Sequence, residues 1–206
     1  MMNSILKMTF LGLALFCGVD SHAAKSTEVV EHEEYVKTDA GNIDFRHLNH
    51  VKFPGVFHKI ARLQLKDNYL ELEDGSKWSL SRAETVKGWE SNRVVLCQNM
   101  ATLSTYRFAL VNLDLKMAMP ISLIREPLPT KDDVAFVKNI DRSSDIIVTS
   151  DGRRWIVHSS DGSNFSKFNE HDRLEIGANV SDSAEKCPYI LIDTAHNSYV
   201  RAKLLD

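Results

Sequence analysis

An internal repeat is the feature that most constrains the fold of this chain. Residues 60–80 (IARLQLKDNYLELEDGSKWSL) align with residues 137–157 (VKNIDRSSDIIVTSDGRRWIV) at a constant offset of 77 positions. Under this offset one Asp-Gly pair coincides with another, and Trp78 coincides with Trp155. Self-similarity at a fixed period marks a structural unit that is used more than once. We therefore expect two related units of about 70 residues each.

The similarity continues beyond these two segments. Residues 88–99 align with residues 167–179 when one insertion is allowed, and residues 108–112 align with residues 189–193. Three pairs of polar or aromatic positions correspond in the first of these alignments: Trp89 with Phe168, Arg93 with Arg173 and Asn99 with Asn179. An ordered series of matches indicates a duplication.

The pattern inside each unit is typical of short β-strands. Leu70 and Leu72 alternate with polar residues, and the Asp74-Gly75 pair that follows is a turn signal. Trp78 and Leu80 then share one face of the next strand, so we expect this tryptophan in a core. The sequence predicts an all-β protein with two tandem, homologous, small antiparallel barrels of SH3 or OB size.

The 206 residues divide into five predicted segments. Two prolines and weak alternation mark a linker between the repeats, and an acidic, weakly periodic stretch precedes the first repeat. The segments are a signal peptide (1–24), a polar, flexible arm (25–52), a first β-barrel repeat (53–124), a linker (125–133) and a second β-barrel repeat (134–206).

The first segment has the pattern of a secretory signal. Lys7 precedes an apolar run over residues 8–19, and small residues follow up to Ala24. The apolar run has 12 residues, whereas a membrane-spanning helix needs about 20. We expect cleavage after Ala23 or Ala24, export to the periplasm or the exterior, and no stable membrane insertion.

Composition and motifs argue against several function classes. Lys and Arg number 25 against 28 Asp and Glu, for a formal net charge of −3, which gives no electrostatic footprint for nucleic acid. The sequence has no Gly-rich phosphate loop and no G-x-S-x-G nucleophile motif. We therefore predict no catalytic residue, no cofactor and no nucleic-acid partner.

Two cysteines, Cys97 and Cys187, follow the predicted signal peptide. An exported protein can form disulfides, and one bridge between these residues would close a loop worth about 4 kcal/mol in chain entropy. The alternative is that both are buried, small, apolar side chains. The sequence leaves the two alternatives open.

Four repeated side chains are candidate ligand-binding residues. Trp89 and Phe168 fall at a loop position, where they either contact a ligand such as a sugar ring or plug one end of a barrel. Arg93 and Arg173 begin a strand, where each either clamps an anionic ligand or pairs with a carboxylate of its own unit.

Three histidines, two in the arm and one at the start of the first repeat, are the candidate metal ligands, although the sequence predicts no metal site. His47 and His50 form an H-x-x-H pair, and His58 follows shortly after. Three imidazoles with a nearby carboxylate can hold zinc with an open position. The alternative is three solvated loop histidines, since the H-E-x-x-H helix that fixes two ligands is absent.

A motif shared by both repeats resembles a known group of proteins. It combines an apolar strand, Asp-Gly, a basic residue and Trp with an Arg-containing strand further on, and its carriers are LEDGSKW (72–78), SDGRRW (150–155), WESNRVVL (89–96) and FNEHDRLEI (168–176). These segments resemble uncharacterised exported tandem β-repeat proteins of intracellular, chlamydia-like bacteria. The resemblance implies export and a β-rich fold, and it implies no established activity.

Core positions repeat between the two units, whereas no acid, base, nucleophile or metal set does. The sequence therefore favours a non-catalytic exported β-module for protein interaction or envelope structure, with a protein or peptide partner. A metal-dependent hydrolase that uses the arm histidines and a carbohydrate-binding module are the alternatives.

Overall fold

The computed structural model describes residues 35–49, 51–129 and 134–205. The described residues form fifteen β-strands, two short α-helices and four 3₁₀ helices. The strands are β1 (Tyr35–Thr38), β2 (Gly41–Asp44), β3 (Phe57–His58), β4 (Ile60–Gln64), β5 (Tyr69–Leu72), β6 (Lys77–Leu80), β7 (Val94–Gln98), β8 (Phe108–Asn112), β9 (Met117–Arg125), β10 (Ala135–Asp141), β11 (Ile146–Thr149), β12 (Arg154–Val157), β13 (Arg173–Ala178), β14 (Tyr189–Asp193) and β15 (Ser198–Leu205). The helices are α1 (Phe45–Asn49) and α2 (Gly162–Phe165), and the 3₁₀ helices are Pro54–Val56, Leu65–Asp67, Ala83–Val86 and Ser159–Asp161.

Strands of the second half form a closed six-stranded antiparallel barrel. Their order is β10-β11-β12-β15-β14-β13. The ring closes because the first two residues of β10 pair with β13, Ala135 with Leu174 and Phe136 with Arg173. The rest of β10 turns away to pair with β11 after a register shift, which gives the strand the bend that closure of a small barrel needs.

Strands of the first half pair in the same order. β4-β5-β6-β9-β8-β7 follow one another as their counterparts do, and the two-residue strand β3 pairs with β7. Only one residue separates β3 from β4, so together they occupy the place that β10 has in the second half. The prediction of an all-β fold built on small antiparallel barrels is confirmed.

The two halves meet at a parallel contact between β7 and β13, where Cys97 pairs with Ala178. This contact joins all strands from β3 to β15 into one sheet. Gly177 permits the close approach, because a Cβ at this position would lie 2.3 Å from the carbonyl oxygen of Leu96. At this seam the backbones of β7 and β13 are therefore in direct contact.

Two apolar clusters, each with one tryptophan and each drawing residues from both halves, form the core. Trp78 and Trp155 are both fully buried, in separate apolar clusters. Their indole N–H groups donate to a hydroxyl in the same hairpin, Ser76 Oγ at 2.8 Å and Thr149 Oγ1 at 3.2 Å. The strand-face prediction for both tryptophans is thus confirmed.

Residues 35–49 are structured, in contrast to the flexible arm that the sequence suggests for 25–52. β1 and β2 form a hairpin, and α1 follows directly. Ile43, Phe45 and Leu48 are buried in the core that also holds Trp155. These apolar residues are spaced too irregularly for a single strand or helix pattern, which is why the sequence alone carries little sign of order.

The linker is anchored on the first half. The Leu128 amide donates to the Asp74 carbonyl at 2.9 Å, and a Cβ on Gly75 would lie 2.6 Å from the Leu128 side chain. The predicted signal peptide, residues 25–34 of the arm, His50 and linker residues 130–133 lie outside the described residues. Among the described helices, none has the length and apolar character to span a membrane.

Candidate functional site

A cleft of about 510 Å³ lies where the two halves meet. One wall comes from β3, the residues before it and the β5–β6 turn, and the other comes from β13, the start of β10 and the β11–β12 turn. The volume falls in the range of small-ligand sites. Three titratable side chains, His58, Asp74 and Glu175, face one another in its wall, and all three are buried.

His58 is fixed between two carboxylates. It lies on β3 opposite Val94 and is 6% exposed. Its Nδ1 is 3.6 Å from Glu73 Oε1, and its Nε2 is 3.9 Å from Glu175 Oε2. Glu73 is itself held in place, because its Oε2 accepts from the Lys59 amide at 2.6 Å.

Asp74 occupies the β5–β6 turn and is 6% exposed. Its Oδ1 accepts from the Ser76 amide at 2.8 Å, which is the Asx-turn geometry favoured by an Asp-Gly sequence. Gly75 adopts a φ of +85° there, and the linker residue Leu128 packs over it. The turn therefore presents the carboxylate in a fixed position.

Glu175 comes from the opposite half, in the middle of β13. It is 4% exposed and lies within hydrogen-bonding reach of the Asp74 side chain. Burial, reinforced by the hydrogen bond and the charge of Asp74, raises the pKa of Glu175 well above its ordinary value. Burial therefore favours the protonated form of Glu175 in its carboxyl pair with Asp74.

The pKa of Asp74, the other carboxyl group of the pair, shifts in the opposite direction. Burial alone would raise its pKa, but hydrogen bonds from Glu175 and from the Ser76 amide and hydroxyl outweigh burial and hold the pKa below its ordinary value. Two carboxyl groups at hydrogen-bonding distance cannot both ionise without a compensating cation. The opposite shifts of the two pKa values favour a single negative charge on the pair.

Two buried polar atoms at this site have no hydrogen-bond partner among the described residues: His58 Nε2 and Glu175 Oε1. An unpaired buried polar atom costs about 1–3 kcal/mol. His58, Asp74 and Glu175 each offer one ligand atom, and these three atoms lie within 4.8 Å of one another. The arrangement is therefore suited to a divalent cation.

Trp89 and Phe168, the aromatic candidates for ligand contact, are buried. Trp89 is 1% exposed and Phe168 is 0% exposed, and the two rings lie in different apolar clusters. Their burial favours the second interpretation of the sequence, in which each ring fills the interior.

The two arginines also have structural partners. Arg173 Nη1 contacts Glu126 Oε2 and the Pro127 carbonyl, both at 3.2 Å, and so fastens the linker. Arg93 is exposed, with its guanidinium carbon 5.3 Å from the centre of the Phe57 ring. Neither arginine lines the cleft.

The three histidines proposed as a metal site do not share one cluster in the described residues. His47 Nε2 is 3.8 Å from Asp44 on the helix α1 side, and His58 lies in the cleft with other carboxylates. His50 lies outside the described residues. Of the predicted metal ligands, His58 alone joins a described ligand cluster.

Cys97 and Cys187 are both free thiols, and both are buried. Burial raises the pKa of each, most strongly for Cys97. The structure thus corresponds to the second sequence alternative, two small buried side chains.

A second acidic cluster, formed by Asp172, Asp193 and His196, is a turn device. Asp193 Oδ1 accepts from the amides of Ala195 and His196, and Oδ2 lies 2.6 Å from His196 Nδ1. Asn112 makes the same amide contacts in the equivalent turn of the first half. The cluster therefore caps a turn that both halves contain.

Sequence reasoning missed Glu73, Asp74 and Glu175 as site residues. Repeated chemistry does not reveal the set, because Asp74 recurs as Asp151 in a turn motif whereas its neighbours in the site do not recur. In the alignment His58 corresponds to Ala135, Glu73 to Ser150 and Glu175 to Val95. Glu175 is the position that could have indicated the site, because a charged residue stands there in a strand where the other half has the apolar Val95.

Comparison with protein-family models, with curated proteins and with solved structures gave no significant match to this chain.

Proposed function

We propose that this protein is an exported, non-catalytic binding module, made of two related barrels, whose binding site is the cleft between its halves. The observation that carries the proposal is the placement of three buried titratable side chains, two of them with unpaired atoms, in the wall of this cleft. Polar groups with unmet hydrogen-bonding capacity that converge on a pocket are typical of binding sites.

Differences between the two halves support the same conclusion. The tryptophan positions, the Asp-Gly turns and the strand order recur, as a duplicated scaffold requires. His58, Glu73 and Glu175 do not recur. The other half adopts the same strand order with smaller or apolar residues at these positions. Because buried charged groups are costly, their presence here supports a role in binding.

Export is the part of the proposal that depends on residues 1–24. The charged, apolar and small-residue stretches in that segment have the order of a secretory signal. A protein or peptide partner for the exported module remains a prediction.

The hydrolase and carbohydrate alternatives receive less support. A hydrolase built on the arm histidines would need His47 near His58, and the ligand cluster that contains His58 does not include it. A sugar platform would need exposed rings, and Trp89 and Phe168 are buried.

Native mass spectrometry of the protein purified from its exported fraction tests the binding function. We expect a bound species that adds mass to the wild type and is lost from Ala135→Trp, which places an indole in the cleft. The matched control is Leu115→Trp, at an exposed turn position, and it should retain the bound mass. No bound species on the wild type, or the same added mass on the wild type and on Ala135→Trp, would overturn the proposal.

A further inference from the structure

We propose that the cleft holds a divalent metal ion of the zinc class, bound by His58 Nε2 and by carboxylate oxygens of Asp74 and Glu175. This inference rests on the proposed function and names the class of ligand that the cleft takes. At the equivalent positions of the other half, Ala135 corresponds to His58 and Val95 to Glu175, so the described residues form this set once.

The candidate ligand atoms of the three side chains lie close together in the structure. The three donor atoms lie within 4.8 Å of one another, and His58 Nε2 is 3.9 Å from Glu175 Oε2. Zinc bonds of about 2.0–2.2 Å to nitrogen and oxygen place neighbouring ligand atoms roughly 3.3 Å apart. Small side-chain movements of His58 and Glu175 therefore suffice to bring the set to coordination distance.

The unpaired atoms point to a cation as the missing component. His58 Nε2 and Glu175 Oε1 are buried and have no hydrogen-bond partner among the described residues. A cation bound among the three side chains would satisfy the imidazole nitrogen and both carboxyl groups together. An apolar ligand would leave all of these groups unsatisfied.

Glu73 orients the histidine for this role. Its Oε1 faces His58 Nδ1 at 3.6 Å, on the side of the ring opposite Glu175. Metal-bound histidines generally direct their second ring N–H to a carboxylate or carbonyl, which fixes the tautomer and leaves the other nitrogen free to coordinate. Glu73 is thus a positioning residue, anchored by the Lys59 amide.

The chemistry of the donor set selects the metal class. An imidazole nitrogen with two carboxylates favours zinc and its neighbours over Mg²⁺ and Ca²⁺, which prefer oxygen ligands throughout. Three protein ligands leave at least one coordination position for water or a further ligand. The site forms part of the cleft wall, so the remaining cleft volume is available to that ligand.

Isothermal titration of the purified, EDTA-treated and dialysed protein with ZnCl₂ at pH 7 tests the proposal. We expect one Zn²⁺ per chain and far weaker binding of MgCl₂. Affinity should fall at least 100-fold in His58→Ala and in Glu175→Gln, and about 10- to 100-fold in Glu73→Gln. Matched controls are His47→Ala and His196→Ala, which remove histidines next to other carboxylates and should leave the affinity unchanged.

A spectroscopic readout separates coordination from a loss of folding. Histidine ¹⁵N NMR of the wild type should show a zinc-induced shift at His58 Nε2 while Nδ1 stays protonated. The inference is overturned by the absence of zinc binding, or by binding that survives both His58→Ala and Glu175→Gln. A bound organic species without metal would overturn this inference and leave the proposed function standing, whereas no bound species of either kind would overturn both.

Discussion

Gly177 and Leu96 face each other across the seam between the halves so closely that a Cβ on Gly177 would lie 2.3 Å from the Leu96 carbonyl oxygen. The neighbouring residues, Ala178 and Cys97, form the parallel pair that joins β13 to β7. The contact involves backbone atoms, so a rotamer change cannot relieve a clash at this point. The seam therefore depends on a residue without a side chain.

Gly177→Ala should destabilise the protein by about 1–3 kcal/mol, because overpacking at a rigid backbone contact forces the strands apart. The free energy of unfolding from urea titration measures the effect. Gly162→Ala is the matched control, since Gly162 has a helical φ of −52° and a Cβ added there would meet no atom within 4 Å. We expect Gly162→Ala to be neutral or slightly stabilising, and equal effects of the two variants would contradict the role of the seam.

Glu175→Gln should change how stability depends on pH in the metal-free protein. Because folding raises the pKa of Glu175, its contribution is fully present below its ordinary value of 4.5 and is lost as pH rises toward the raised value. Between these limits the slope is at most about −1.4 kcal/mol per pH unit. Glutamine keeps a donor toward Asp74 but does not titrate, so unfolding in EDTA from pH 5 to 8 should show a flatter profile. Identical slopes would contradict the protonated state of Glu175.

Asp161→Asn should cost about 1.5–3 kcal/mol, the range for hydrogen bonds to charged groups. Asp161 Oδ2 accepts from the Arg201 amide at 2.7 Å and from its Nε at 3.0 Å. Burial opposes ionisation, but the Arg201 contacts outweigh it and lower the pKa of Asp161. Its contribution is therefore present above pH 3.8 and fades as pH falls below that value.

Asp39→Asn is the control for this pair, because Asp39 contacts Arg82 on the surface, with side-chain exposures of 35% and 72%. We expect less than about 1 kcal/mol there. Thermal unfolding at pH 7 and pH 3 should show the Asp161 difference shrink at the lower pH, and a difference that grows on acidification would refute the assignment.

Phe168→Ala should destabilise the protein by about 3–5 kcal/mol, as expected for an aromatic side chain removed from a core. The ring is 0% exposed. Phe136→Ala, at a ring that is 41% exposed, should cost much less. Chemical denaturation of both variants measures the difference, and a marginal effect of Phe168→Ala would restore a surface role for this position.

Cys97 and Cys187 should both be alkylated only after unfolding. Both are free and buried, and their raised pKa values keep them in the thiol form, which is the unreactive form. Iodoacetamide labelling followed by peptide mass mapping, with and without denaturant, measures this. A joined peptide in the non-reduced digest would show that the protein forms the bridge instead.

The strands and turns of the two halves could be predicted from the sequence, because they follow local patterns of alternation and turn residues. Alternation placed Trp78 and Trp155 on the inner faces of their strands, and the Asp-Gly pairs marked the turns between those strands. These features depend on neighbours in the chain and need no knowledge of the partner strands.

The site was not predictable in the same way, because it depends on which distant residues meet. Glu175 lies between Leu174 and Ile176 on a strand whose residues are nearly all buried, so strand periodicity assigns it no face. Its partner His58 lies on a two-residue strand and has no local motif around it. Only closure of the halves at the β7–β13 seam brings these residues together.

The seam has a consequence for the history of the chain. His58 and Asp74 belong to one half and Glu175 to the other. A single ancestral unit, even a well-folded one, would therefore have lacked this set of three side chains. If the two halves arose by duplication, as we propose, the site formed after the copies were joined and was not inherited from either one. Neither half alone would then bind the proposed ligand, because the three side chains come from both halves.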